Sequence, residues 1–425
     1  MASQPISHKR ARHLAAKIHA GAVIWHRWIG LGMTAFLIVV GLTGTLLAFR
    51  LDLERLINPH LFASPKPGQM PLDLAKLAEI AEALAPQARV GYFWVERDRA
   101  VMSCYPRNDP ATGKPIPIDF NHIFLNPYTG EELGRRRDGD LKQGRINLMP
   151  FLYDLHSTLA IGSKGTWILG IVALTWTLDS FVGFYLTLPR DHRRFWGRWK
   201  YAWQVKWQAN AFRVNFDLHR AGGLWFWLMI FVFAWSSVML TLQSVYIPVT
   251  KAFFDYRSGD DIILPNLLSK PLDSPKLDWR AAQAAGERLM AEQAAIHGFA
   301  VTRPYGMAYI PACGVYTYGV RSTADIRGDG WDTSIWVDGE TGELRDVGLP
   351  SGQHTGNTIS TWLWGLHYGD IRDFLPYRIT VCIFGLVVVM LSVTGVYIWW
   401  KKRRARKFFM SRRRLTEGMN KRVEI

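Results

Sequence analysis

The sequence predicts a membrane protein: a four-transmembrane-helix bundle with two α+β modules outside the bilayer and an internal two-fold repeat. Three observations predict it. Apolar runs at 28–49, 166–188, 224–248 and 379–400 are each long enough to cross a bilayer, which takes about 20 residues. Lys and Arg gather beside those runs, at 9–27, 190–220 and 401–422. Stretches of the first half also return in the same order in the second.

The chain has 425 residues, 49% of them hydrophobic, with 19 tryptophans and a net charge of +16. A charge of that size would suit a nucleic-acid binder, but its placement argues for lipid instead. Residues 51–150 hold thirteen basic and thirteen acidic side chains, and residues 251–360 hold ten and fourteen. The surplus sits beside the spans, where basic residues mark the cytoplasmic side. Both termini are therefore expected in the cytoplasm, and the two large segments across the membrane. The first run is too long for a signal-peptide core and lacks a small-residue cleavage site after it, so it reads as an uncleaved anchor. Of the three cysteines, Cys104 and Cys313 fall in the two exported segments. A disulfide between them and two separate thiols both stay open. The absence of a CxxCH pattern argues against covalent c-type haem.

In chain order, 1–23 is a basic cytoplasmic lead-in and 24–50 the first span. Residues 51–150 form the first module. Its helix opens at Pro71-Leu72-Asp73, because a proline and an acid suit a first turn. Leu74, Leu77, Ile80, Ala81 and Leu84 follow at helical spacing. Strands are expected over 90–95 and 100–105, and the module closes on a strand, a Thr129-Gly130 turn and a second strand. Residues 151–189 hold an outer histidine helix and the second span, 190–214 a basic cytoplasmic loop, and 215–248 the third span. The second module, 249–355, follows the same plan. Its helix enters at Leu277-Asp278, and Thr341-Gly342-Glu343 stands where the first module has Thr129-Gly130-Glu131. Residues 356–400 hold a second outer histidine helix and the fourth span, and 401–425 a basic cytoplasmic tail. Ser180-Phe-Val-Gly183, near the end of span two, matches Ser392-Val-Thr-Gly395, near the end of span four. An insertion at 244–272 has no counterpart in the first half.

Four histidines stand out, because ionisable groups at membrane depth are costly and concentrate at functional sites. His26 and His219 begin spans one and three, each within His-Arg-x-x-Gly, at the expected cytoplasmic face. His156 and His367 precede spans two and four at the outer face. Two neutral imidazoles from two helices are what bis-histidine ligation of a b-type haem requires. Gly30, Gly41, Gly44, Gly222, Gly223, Ser236 and Ser237 could leave the slot, and Arg27 and Arg220 could pair with propionates. The plainer alternative is that each histidine is a span-edge anchor or a hydrogen-bonded helix residue. A zinc site fits poorly, since no acids stand at ligand spacing. Asp179 and Asp154 are candidates for proton or ligand-orienting roles, and His354 is a lesser ligand candidate. His8, His13, His19, His60, His122, His192 and His297 read as solvent or interface residues.

These features together resemble the PepSY-associated transmembrane family. They are the repeated His-Arg-x-x-Gly span starts, the Leu-His elements before spans two and four, the modules ending in Thr-Gly-Glu, and the basic tail after Tyr397-Ile-Trp-Trp. The resemblance covers roughly 15 to 410 and includes inner-membrane di-haem ferrisiderophore (ferrioxamine) reductases. It implies PepSY-like periplasmic modules, a bacterial cytoplasmic (inner) membrane location and two b-type haems per chain. The axial ligands carry over to His26, His219, His156 and His367. It also implies a ferric-chelate reductase, with a ferric siderophore or other ferric chelate as acceptor and a cytoplasmic flavin or NAD(P)H reductase, or quinol, as donor. Two other functions stay open: a non-redox, membrane-anchored peptide-binding or protease-regulating module, and an electron carrier to another periplasmic acceptor.

Overall fold

The computed structural model describes residues 5–65, 67–190 and 194–423, without the side chains of 5–9, 11–12 and 411–423. The side chain of His8, the whole of His192, and the ends of the expected lead-in and tail lie outside the described residues. The helices and strands in chain order begin with α1 (Pro5–Leu47), α2 (Arg50–Ile57), α3 (Leu74–Leu84), β1 (Ala88–Glu96), β2 (Arg99–Pro106), β3 (His122–Leu125) and β4 (Glu132–Arg136). Then come α4 (Leu148–Thr158), α5 (Ser163–Thr187), α6 (Phe195–Trp199), α7 (Ala211–Trp225), α8 (Trp227–Thr241), α9 (Gln243–Phe253) and α10 (Gly259–Ile263). The chain ends with α11 (Trp279–His297), β5 (Val301–Ile310), β6 (Val315–Ser322), β7 (Thr333–Asp338), β8 (Leu344–Gly348), α12 (Thr355–Tyr368) and α13 (Leu375–Val423). They sort into two units, one of residues 1–45, 156–242 and 380–425, the other of 46–155 and 243–379.

The first unit is helical. Among the described residues, His13–Leu47, Ser163–Thr187 and Leu375–Met410 are long and apolar enough to cross a membrane. The expected third span differs. It is two helices, α7 and α8, that break at Phe226 and bend by 68°; taken as one broken span, the pair brings the number to four. The break falls where Phe226 leaves helical geometry at φ −106°, ψ 12°. Beside it, Trp227 Nε1 donates to the Ser180 carbonyl at 3.1 Å. Met33, Leu37, Ile230, Phe384 and Val388 form the core between α1, α8 and α13. Helices α1 and α13 touch backbone to backbone: a Cβ added at Gly385 would lie 2.6 Å from the Gly41 carbonyl oxygen. Small residues permit that approach, the usual means of helix association in lipid.

The second unit is built on one eight-stranded antiparallel sheet, ordered β4-β3-β2-β1-β5-β6-β7-β8. The two modules read from the sequence thus share a single sheet. They join where Tyr92, Phe93 and Trp94 of β1 pair with Ala308, Met307 and Gly306 of β5. Helices α3 and α11 pack together and contribute to a core shared by both halves, with Leu77, Ala78, Phe93, Met102, Leu289, Met290, Met307 and Ile335 inside. Asp278 caps α11 by accepting from the Ala281 amide at 2.8 Å, and Gly298 ends it in the left-handed region. Gln283 of α11 accepts from the Ala75 amide of α3 at 2.7 Å, a polar tie between the halves. The two closing turns are alike. Asn126 Oδ1 accepts from the Tyr128 amide and Asp338 Oδ1 from the Glu340 amide, with Gly130 and Gly342 at φ +77° and +74°.

Four sequence expectations meet a fuller answer in the second unit. The 244–272 insertion braces the start of α12: Tyr246 shares a 2.8 Å hydrogen bond with Ser360, and the Arg257 backbone and Asn357 side chain bond each other in both directions. His354 Nδ1 bonds Asp255 at 2.8 Å, so its ring serves this brace. His122, expected at a surface, is buried in β3 against Trp94 and Phe124, because a strand facing the core offers it aromatic neighbours. Cys104 and Cys313 are both buried free thiols, one in β2 and one in the β5–β6 turn.

Candidate functional site

The site lies in the helical unit, where His26 on α1 and His219 on α7 come together. Their ring centroids stand 6.0 Å apart with planes tilted by 56°. Both line a cavity of about 510 Å³ together with Arg27, Gly30, Asp179, Gly223 and Arg220. Its wall is mainly apolar, from Leu37, Trp176, Leu224, Trp227, Ile230 and Val388. A cavity of that size is in the range that holds a small molecule or cofactor.

Each ring is oriented through its Nδ1 atom. That of His26 bonds Asp179 Oδ2 at 2.9 Å. That of His219 bonds the Leu391 carbonyl at 3.0 Å and the Thr394 hydroxyl at 3.1 Å. Neither Nε2 atom makes a hydrogen bond among the described residues. Glycine backs both rings: a Cβ at Gly183 would meet His26 Cε1 at 3.4 Å, and one at Gly395 would meet His219 Cε1 at 3.3 Å. A larger residue at either position would push the ring aside.

The arginines next to these histidines also line the cavity. Arg27 lies 5.5 Å from the Trp28 ring, and its Nε is buried without a hydrogen-bond partner among the described residues. Arg220 is partly committed: its Nη2 donates to Asp217 at 2.8 Å and to the Tyr201 carbonyl at 2.7 Å, while its Nε is buried without a partner. Asp217, fully buried, also accepts from Arg213, so it holds the start of α7 in place.

His156 belongs to the helical unit and His367 to the sheet unit. His156, on α4, bonds the Thr43 hydroxyl of α1 through Nδ1 at 2.9 Å, and Gly44 lies against its ring. His367, in the second unit on α12, has its ring 6.0 Å from that of Tyr368. Tyr153 and Tyr368, near these two histidines in sequence, share a 3.3 Å hydroxyl contact.

Several slot residues take other roles. Gly41 packs on Gly385, Gly44 on His156 and Gly222 on Met390, while Gly30 and Gly223 remain open at the cavity. Ser236 and Ser237 turn their hydroxyls back to the Phe233 carbonyl, which satisfies them within α8. His19, expected at a surface, lines the cavity and bonds Arg190 at 2.9 Å. Thr43, Thr394, Gly183, Gly395, Lys402 and Arg406 also belong to these surroundings. Only the two glycines carried a sequence signal, the match between 180–183 and 392–395. Among the described residues, no group of three or more His, Cys, Asp or Glu is gathered for a metal ion. What the arrangement offers is two imidazole nitrogens beside a roomy apolar cavity.

A family model described as the PepSY-associated TM region matches residues 23–402. No curated protein sequence matches the chain.

Proposed function

The chain belongs to the PepSY-associated transmembrane family, and from that premise we propose a di-haem b electron-transfer protein of the bacterial inner membrane that reduces ferric siderophore at its periplasmic face. The observation that carries the proposal is the His26–His219 pair. Metal–imidazole bonds of about 2 Å, with about 1.1 Å from nitrogen to ring centre on each side, put the two rings of a bis-histidine site about 6 Å apart. The observed separation is 6.0 Å. An Nδ1 proton given to a protein acceptor fixes the tautomer and leaves Nε2 to a metal. The buried Nε atoms of Arg27 and Arg220 suit the carboxylates that a haem carries. His26, His219 and the arginines beside them therefore fit one such group.

His26 and His219 would hold the haem nearer the cytoplasm; the ligands of the one nearer the periplasm, His156 and His367, rest on the family resemblance alone. Bound there, haem b supplies one-electron transfer across about 30 Å of hydrocarbon. On this reading α7 and α8 form one broken third span, and the chain is a two-fold repeat of span, module and span. The donor is a cytoplasmic flavin or NAD(P)H reductase, or quinol. The acceptor follows from the family resemblance and from simple chemistry. Hydroxamate oxygens hold Fe3+ tightly and Fe2+ far less, so one electron releases the metal and no proton-transfer dyad is required.

The test is anaerobic mixing of the dithionite-reduced protein with a ferric hydroxamate siderophore. Reoxidation of the haem spectrum, with ferrous iron appearing in a ferrous-specific chelator, is expected. A reduced spectrum that persists would remove the siderophore role. Purified protein without a Soret band would remove the haem reading altogether.

A further inference from the structure

The two inner histidines are backed alike but hydrogen-bonded unlike. Gly183 and Gly395 occupy matching positions in the stretches that align Ser180 with Ser392, and each lies against one ring. The partner of Nδ1 differs. His26 meets the Asp179 carboxylate, whereas His219 meets the Leu391 carbonyl and the Thr394 hydroxyl. In that alignment Leu391 stands where Asp179 stands, and offers only its backbone. His156 also meets a neutral group, the Thr43 hydroxyl, which itself donates to the Val39 carbonyl at 2.7 Å. Of these Nδ1 contacts, that of His26 is with a carboxylate and the others are with neutral groups.

Asp179 is costly where it stands. It is 4% exposed within a span, and its Oδ1 has no hydrogen-bond partner among the described residues. A buried carboxylate with one bond is destabilising unless its charge is used. An asparagine carbonyl could orient His26 equally well. What only the carboxylate adds is negative charge against the ring.

Resting on the di-haem reading, we propose that Asp179 lowers the reduction potential of the inner centre through its bond to His26. A carboxylate that accepts the Nδ1 proton makes the imidazole more basic at Nε2. A more basic ligand and a buried negative charge both favour Fe3+ over Fe2+. Asp179 touches the ligand and not the iron, so it is a positioning residue whose signature is a potential.

The experiment is a spectroelectrochemical titration of full-length protein, wild type against Asp179→Asn and Asp179→Glu. Wild type should titrate as two components. Asp179→Asn should keep both haems, raise one of the two potentials and leave the other in place, and Asp179→Glu should return it toward wild type. His156→Ala removes the outer ligand, so its remaining component should show the same upward shift when combined with Asp179→Asn. Two haems with both potentials unchanged in Asp179→Asn overturn the proposal and leave the di-haem reading standing. Loss of the inner haem that Asp179→Glu does not restore assigns Asp179 a purely structural role and also overturns it. Wild-type protein with no haem by pyridine haemochrome removes the reading on which the proposal rests.

Discussion

Glu96 shows how a single side chain in the sheet unit depends on its neighbours. It lies at the end of β1, 1% exposed, with Oε1 accepting from Arg99 Nε at 3.0 Å and Nη2 at 2.6 Å. Its Oε2 faces Arg50 at 3.7 Å, too far for a hydrogen bond. Burial alone would raise its pKa, but Arg99 and Arg50 outweigh burial and hold the carboxyl well below its ordinary 4.5. A depressed carboxyl contributes stability that is full above the unfolded value and is lost as pH falls toward the folded one. The near-ultraviolet circular dichroism of the full chain should therefore hold steady above pH 4.5 and decline below it. Glu96→Gln should flatten that decline and cost about 3 kcal/mol, since it strips a buried guanidinium of its counter-charge. An unchanged acid profile in the variant would assign the loss to other groups. At this scale much of the candidate site was legible. His26, His219, Arg27, Arg220 and Asp179 stand out because charge at membrane depth is rare. Thr394 did not, because its contact with His219 depends on how two distant helices line up.

Glycines that let elements approach are the sensitive points at the next scale. Gly395 of α13 lies against the His219 ring, with 3.3 Å from an added Cβ to Cε1. Gly395→Val should displace that ring and remove about one haem per chain, while Gly32→Ala, which meets nothing within 4 Å and lies off the cavity, should not. Equal haem in both variants would count against His219 as a ligand. In the sheet, a Cβ at Gly306 would come within 2.3 Å of the Phe93 carbonyl oxygen, at the junction of β1 and β5. Gly306→Ala should lower stability by about 1–3 kcal/mol, the usual cost of forcing atoms into a packed site, and a melting temperature equal to wild type would contradict the β1–β5 pairing. That pairing was invisible in the sequence. Both strands carry aromatic and apolar residues suited to several partners, and nothing local selects one edge over another. The bend at Phe226 was hidden for a related reason: residues 224–242 are almost uniformly apolar, so hydropathy has no feature there to mark a break.

As a whole the molecule joins a helical membrane unit to a sheet unit whose two halves share one core. The strand-and-turn chemistry of each half could be read from Thr129-Gly130 and Thr341-Gly342, because left-handed glycines after an Asx turn are a local signal. Sharing a core between segments some two hundred residues apart is a long-range property, and periodicity does not report it. The role of the 244–272 insertion likewise emerged only when its partners on α12 were in place. The account turns on one claim, that histidine pairs hold two haems in this chain. The direct measurement is haem stoichiometry by pyridine haemochrome on purified full-length protein. The account predicts two per chain, one in His26→Ala, one in His219→Ala and still one when both are replaced, since the pair serves a single iron. No haem in wild type, or two haems retained in the double variant, would contradict it.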